Sequence, residues 1–371
     1  MKSKVRLIAT TAFGLESIVK REVERLGFSD IQCSDGKVEY TADFLGIPRS
    51  NIWLRSADRV LVKIGEFTAK TFDELFEQTF ALDWDWWIPI DGKFTVTGKS
   101  VRSTLYSVPD VQSIVKKAVV ERMKKKYNTL WFQETGAEYT IQAAILKDCV
   151  TLTIDTTGPG LHKRGYRARA TKAPLKETLA AALINLSRYN GKKPFLDPCC
   201  GSGTLAIEAA IMAKNIAPGL VRSFVSESWH QVPPALWKEV KMAAYGSIRT
   251  DIEPEIFGYD IDSKAIEIAR ANAELAGVDD CIVFDVCDAH QLVLPRRAGT
   301  AVINPPYGER LGQIREVEAL YSSFGSMFNK TDWQVYVLTP DEFFEKAFGQ
   351  RARAKRKLFN GMIKTDLYQF F

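Results

Sequence analysis

"FLDPCCGSGTLAIEAA", residues 195–210, passes from an apolar run through a glycine-containing turn into an apolar stretch of helical character. A strand that enters a tight turn and then a helix is the repeating unit of parallel α/β sheets. Gly201 and Gly203 carry no Cβ, so a ligand can lie over the turn, and a helix starting near Thr204 offers free backbone N–H groups. The spacing is not the dinucleotide fingerprint G-x-G-x-x-G. Asp197, at the strand end, would repel a pyrophosphate and welcome a cationic or amino group.

The same rhythm continues through "IFGYDIDSKAIEIARANAELAG", "CIVFDVCDAHQL", "TAVINPPYGERLG" and "WQVYVLTPDEFFEKAF", which predicts a doubly wound sheet after residue 190. Asp260 falls at the end of the second strand, where an acid accepts hydrogen bonds from ribose hydroxyls. Asp288 follows the third, suited to an adenine amino group. Singly, each acid is as readily a helix N-cap. Three of them in register with the glycine turn point to a nucleoside cofactor in the crevice at the strands' C-terminal ends.

The fourth strand, "TAVI", runs into Asn304-Pro305-Pro306-Tyr307. Prolines fix φ and remove donors, which leaves the Pro305 carbonyl as a rigid acceptor beside the Asn304 amide oxygen. Together they suit the two hydrogens of an exocyclic NH2 group, and Tyr307 offers a ring for a base taken out of its stack.

Upstream of residue 190 the pattern is α+β. A strand in "KVRLIAT", a helix with Leu15, Ile18, Val19, Val23 and Leu26 at helical spacing, a stop at Gly27 and a second strand form one unit, followed by a helix from Phe44 or Leu45. A second unit contains the strand "RVLVKIGEFTA", a helix in "TFDELFEQTF", a turn at Pro89 and Gly92, a strand, a helix carrying Val111, Ile114, Val115, Ala118 and Val119, and the strands "EYTIQAAIL" and "CVTLTIDTT". Trp84, Trp86 and Trp87 read as packing residues of this unit rather than base-stacking platforms. A connecting helix, "APLKETLAAALINLS", starts at Pro174.

The composition is that of an average globular protein of several domains, 46% apolar and 26% charged over 371 residues. A formal charge of +5 permits a polyanionic partner without demanding one. Basic residues bunch at 122–126, 163–172 and 351–357, and each run is read first as a solvated face. Six cysteines without metal-ligand spacing and three scattered histidines argue against a metal site and for a reducing, cytoplasmic setting. The adjacent Cys199 and Cys200 read as small packing residues, although a helix N-terminus can lower a thiol pKa. No signal-peptide pattern or membrane-length apolar stretch is present.

"DPCCGSGTLAIEAA" and "INPPYGERLG" resemble motifs I and IV of class I S-adenosylmethionine-dependent amino-methyltransferases. With "GLHKRGYR" and "APLKETLAA" ahead of them, they match the family often labelled N6-adenine-specific DNA methylase, and the N-terminal half of the bacterial 23S ribosomal RNA N2-guanine methyltransferase. The resemblance covers essentially the whole chain. It implies a ferredoxin-like domain over residues 1–55, an RNA-binding THUMP domain over 56–163, a linker helix over 164–190 and a Rossmann-like methyltransferase domain over 191–371.

By the same resemblance the cofactor is S-adenosyl-L-methionine, held by Lys176, Glu177 and Thr178 at its methionine end, and by Asp197, Pro198, Cys199, Gly201, Ser202, Gly203, Thr204, Asp260, Asp288 and Asn304. Asn304, Pro305, Pro306 and Tyr307 would hold the target base. Lys163, Arg164, Arg167 and Arg169 are candidate phosphate contacts, or equally pins of the linker through carboxylates. The expected activity is in-line methyl transfer to an exocyclic amine, first guanine N2 of 23S rRNA, presented as RNA or in a ribosomal precursor particle; the alternatives are adenine N6 of DNA or RNA, and a non-catalytic RNA-binding protein. The motif alone does not separate the two amines, nor rRNA from transfer RNA.

Overall fold

The computed structural model describes residues 4–167, 175–307 and 311–371. Its first half is built on one seven-stranded sheet, with strands β1 Val5–Thr10, β2 Ser29–Ser34, β3 Lys37–Ala42, β4 Arg59–Thr68, β5 Lys93–Val101, β6 Glu138–Leu146 and β7 Cys149–Asp155 in the order β2-β3-β1-β4-β7-β6-β5. β4 joins the two α+β units: it pairs antiparallel with β1 (Leu7 opposite Val62) and with β7 (Val62 opposite Ile154). The helix Glu16–Arg25 ends as expected at Gly27, whose φ of +75° suits a residue without Cβ. β6 alternates buried and open residues, so one face covers the core and the other stays polar.

Trp84 and Trp87 are buried, as their packing role requires, and the Trp84 indole donates to the Thr79 carbonyl at 2.7 Å. The short helix Trp84–Trp87 that carries them has no signature in the sequence beyond the aromatic cluster.

The second half is a seven-stranded sheet of β8 Phe195–Asp197, β9 Ile256–Asp260, β10 Ile282–Val286, β11 Thr300–Ile303, β12 Gln334–Thr339, β13 Ala354–Asn360 and β14 Ile363–Phe370, ordered β10-β9-β8-β11-β12-β14-β13. Strands β8 to β12 are parallel, and β8 and β11 are buried along their whole length, which explains their continuous apolar runs. β13 and β14 form an antiparallel hairpin, with β14 inserted beside β12. The doubly wound reading thus holds for the core of the sheet. The hairpin is the addition, and its basic stretch 351–357 had read only as a charged face.

Sequence periodicity assigns no element to residues 214–250, yet this insertion ties the halves together. Its helix Pro234–Gly246 buries Trp237 and Val240, and Trp229 stacks on Tyr139 at 4.8 Å between ring centres. The Trp229 indole donates to the Glu138 carbonyl at 3.0 Å, and the Gln231 amide donates to the carbonyls of Trp86 and Trp87. Gly219 permits a close approach: a Cβ there would lie 2.7 Å from the Ile52 Cα. Among the described residues no helix is long and apolar enough to cross a membrane.

Candidate active site

At the C-terminal ends of β8, β9 and β11 lies a cavity of about 900 Å³, the size of a small-molecule or cofactor site. β8 and β11 are the central neighbours from which the sheet winds in both directions, where open α/β sheets bind ligands. Asp197, Pro198, Cys199, Gly201, Ser202 and Thr204 from the turn, Asp260 and Asp288 from the next strands, and Asn304 to Tyr307 all line it. Gly203 does not. It sits at φ +82°, and a Cβ there would meet the Phe284 ring at 2.9 Å and the Ala269 Cβ at 3.0 Å, so it serves close helix–sheet packing under the turn.

The three acids are not equivalent. Asp197 is 1% exposed and, among the described residues, accepts the Cys199 amide alone, at 3.3 Å; burial pushes its pKa up to about 8, and the nearby Asp260 charge adds to the rise. Asp260 clamps the turn to β9: one carboxylate oxygen accepts the Gly201 amide at 2.8 Å and the other the Asp262 amide at 3.0 Å. Asp288 caps the short helical turn Ala289–Gln291 by accepting the His290 amide at 2.9 Å. For Asp288 the capping and the cavity-lining readings are therefore both true. Burial pushes the Cys199 and Cys200 thiols well above their ordinary range, the opposite of the lowered-pKa alternative, and both lie along the cavity wall.

At the other wall, Tyr307 donates its hydroxyl to the Asn304 amide oxygen at 2.8 Å, and Asn360 lines the same cavity. Asn304 thus has its amide plane fixed and keeps a second lone pair for a ligand. Asn360 and Ile363 enter the cavity lining from the β13–β14 hairpin. Sequence reasoning missed them, since nothing local to "FNGMI" marks a binding residue. Gly308 to Arg310 of the same motif lie outside the described residues.

The linker corrects several expectations. Its helix runs Glu177–Ser187, and Leu175, not Lys176, Glu177 or Thr178, lines the cavity; Pro174 is outside the described residues. Glu177 is buried against Arg167 at 3.3 Å, with burial raising its pKa. The Thr178 hydroxyl donates to Asp58 at 3.2 Å, and Lys176 is exposed. Glu177 is thus held by another residue of the linker, and Thr178 reaches across to the loop before β4.

Arg164, a candidate phosphate contact, is 2% exposed and lies against the fully buried Glu208 at 3.4 Å, with further bonds to the carbonyls of Leu161 and Arg55. Arg167 binds Glu177, the Leu175 carbonyl and the Thr204 hydroxyl. The carboxylate-pin reading describes both residues. Lys163 is exposed, and Arg169 lies outside the described residues.

Arg164→Ala should accordingly cost stability rather than RNA affinity. It leaves Glu208 buried without its cation, a loss on the order of 3–5 kcal/mol. Urea unfolding should show the drop, and RNA titration of the folded variant should give an unchanged Kd.

Comparison with known proteins agrees with this geometry. Residues 6–61 match an RlmL ferredoxin-like domain, 69–155 a THUMP domain and 164–369 an RMKL-like methyltransferase domain. YpsC of Bacillus subtilis (strain 168), by its name a candidate RNA methyltransferase, is 49% identical over 371 residues, covering 99% of this chain and 96% of that protein. The ribosomal RNA large subunit methyltransferase K/L of Psychromonas ingrahamii is 34% identical over 97% of this chain but only 49% of its own length. This chain spans about half of such K/L proteins. Among solved structures, the methyltransferase SMU.472 in complex with SAH is 43% identical, with a TM-score of 0.95 over 100% of this chain and 99% of that one.

A ferredoxin-like and THUMP front joined to a mixed α/β methyltransferase sheet defines the class. The chain belongs to the RMKL-like methyltransferase family.

Proposed function

We propose that this protein methylates guanine N2 in 23S ribosomal RNA. The observation that carries the reading is one cavity in which the glycine turn and its acids face the Asn304–Pro305 acceptor pair across adjoining strands. S-adenosyl-L-methionine is the cofactor that suits the first wall, and it supplies a methyl group activated on a sulfonium sulfur. Asp197, buried with unused acceptor capacity, fits a cationic amino acid end; Gly201 leaves room for the backbone approach; Asp260 and Asp288 suit ribose hydroxyls and an adenine amine.

The chain's own contribution is positioning and electrostatics. The lone pair of guanine N2 is delocalised into its ring, so the amine is a poor nucleophile. The Asn304 oxygen and the Pro305 carbonyl accept its hydrogens and favour the more tetrahedral nitrogen that develops as the bond forms. Tyr307 supplies a ring face for the extruded base. Alignment of nitrogen and methyl group contributes much of the remaining rate, and the displaced proton goes to solvent. The THUMP domain supports an RNA substrate, and the names of the K/L relatives support ribosomal RNA.

The test is to incubate the protein with radiolabelled S-adenosylmethionine and, separately, unmodified 23S RNA, transfer RNA and duplex DNA, and to identify the labelled nucleoside by chromatography. N2-methylguanosine in 23S RNA is expected. Label in N6-methyladenine would transfer the same site to the adenine reading, and cofactor binding without transfer to any of these nucleic acids would point to a ribosomal precursor particle as the required substrate or to a non-catalytic RNA-binding role.

A further inference from the structure

We infer that the tip of the β13–β14 hairpin enters the RNA, and that Met362 takes the place of the base withdrawn into the cavity. This deepens the proposed amine-methylating reading and rests on it.

The tip is stiff. Asn360 pairs with Ile363 across a two-residue turn, Gly361-Met362, and Gly361 has a φ of +63° at the first turn position, where tight hairpins favour glycine. It also stands at the cavity mouth. Asn360 and Ile363 line the cavity together with Asn304 to Tyr307, which sets the tip beside the base-holding motif.

Met362 is 98% exposed on this support, and Ile363 at 46% and Ile261 at 71% add further exposed apolar groups to the same rim. A lone exposed apolar residue needs no explanation; a group of them around the mouth of a site does. The charge of the surroundings selects the partner. Residues 354–364 contain no acid; Lys357 is exposed on the strand behind the tip, Lys364 is exposed and paired with Glu342 at 3.9 Å, and Arg351 and Arg353 are exposed just before β13. An apolar point backed by cations suits a polyanion whose bases stack, rather than a lipid or an apolar protein face.

Withdrawing a base leaves a gap in its stack, and unstacking costs a few kcal/mol. Apolar side chains that insert between bases offset that cost, and methionine is flexible and polarizable enough to fill an irregular gap. Met362 touches no reacting atom in this scheme and is a positioning residue.

The experiment compares wild type with Met362→Ala and Met362→Leu in single-turnover methylation of two RNAs: a transcribed, folded 23S rRNA and a short unstructured oligonucleotide with the same target base. Met362→Ala should lose roughly tenfold or more of its rate on folded RNA, keep its rate on the oligonucleotide, and bind S-adenosylmethionine as wild type does; Met362→Leu should restore the folded-RNA rate. Equal rates for wild type and Met362→Ala on folded RNA would overturn the inference while leaving the methylation reading intact, as would an equal loss on both RNAs. No transfer by wild type to either RNA would overturn the methylation reading itself, and this inference with it.

Discussion

Asn304→Ala should lower the rate of methyl transfer by roughly 10²- to 10³-fold, the usual effect of removing one positioned group that acts on developing charge. Cofactor affinity should fall no more than a few-fold, because the turn from Asp197 to Thr204 and the acids on β9 and after β10 are untouched. Tyr307→Phe keeps the ring and deletes the hydroxyl that donates to the Asn304 oxygen. Its loss should be smaller, about 1 kcal/mol or roughly fivefold in rate. The hydroxyl acts through Asn304, so the double variant should be no slower than Asn304→Ala alone, and a double-mutant cycle reads that coupling directly. Rapid-quench single-turnover assays separate the chemical step from binding. A variant within threefold of wild type would place the amine's acceptors elsewhere in the cavity.

The residues of this prediction were legible in the sequence because their placement is local. A strand end, a glycine turn and a rigid Asn-Pro-Pro segment each declare their geometry within a few residues, and the parallel topology then brings the strand ends together. Arg164 and Arg167 show the opposite case. A basic run says nothing about which side chains face inward, and only the fold places Glu208 and Glu177 beside them. Glu177 and Thr178 were expected at the cofactor; the structure pairs Glu177 with Arg167 of the linker and Thr178 with Asp58 of the first half.

Asn360 and Ile363 were invisible for a different reason. They reach the cavity through an antiparallel hairpin whose insertion beside β12 has no local signal, some fifty residues after the motif beside them. In residues 214–250 the helix Pro234–Gly246 does carry Trp237, Val240 and Ala244 at helical spacing, but its partner is the core of the first half of the chain, which no local pattern names. Even the turn between β6 and β7 is made without glycine, by Lys147 and Asp148 at φ +51° and +64°.

Asp197→Asn should abolish tight cofactor binding and, at the same time, stabilise the ligand-free protein. The carboxyl is 1% exposed, with its pKa raised from 3.8 to about 8, chiefly by burial. Between those values the folded state holds a proton that the unfolded chain has released, so stability falls as pH rises through the window and levels off above it. The full shift corresponds to a cost on the order of 5 kcal/mol at the upper end. An amide has no charge to bury and escapes the cost. The gain in Tm of Asp197→Asn over wild type should therefore be near zero at pH 4, grow up to about pH 8 and then remain constant, at roughly 2–4 °C per kcal/mol. Saturating S-adenosylmethionine should reverse the order at neutral pH: it stabilises wild type, whose carboxylate gains a cationic partner, and leaves the variant unchanged. The same linkage makes wild-type affinity rise with pH below about 8, as the carboxyl gives up its proton to bind. Differential scanning fluorimetry across pH, with and without cofactor, measures all of these. A pH-independent Tm difference, or equal cofactor stabilisation of both proteins, would remove Asp197 from the binding of the cofactor's charged end and leave it as a buried structural acid.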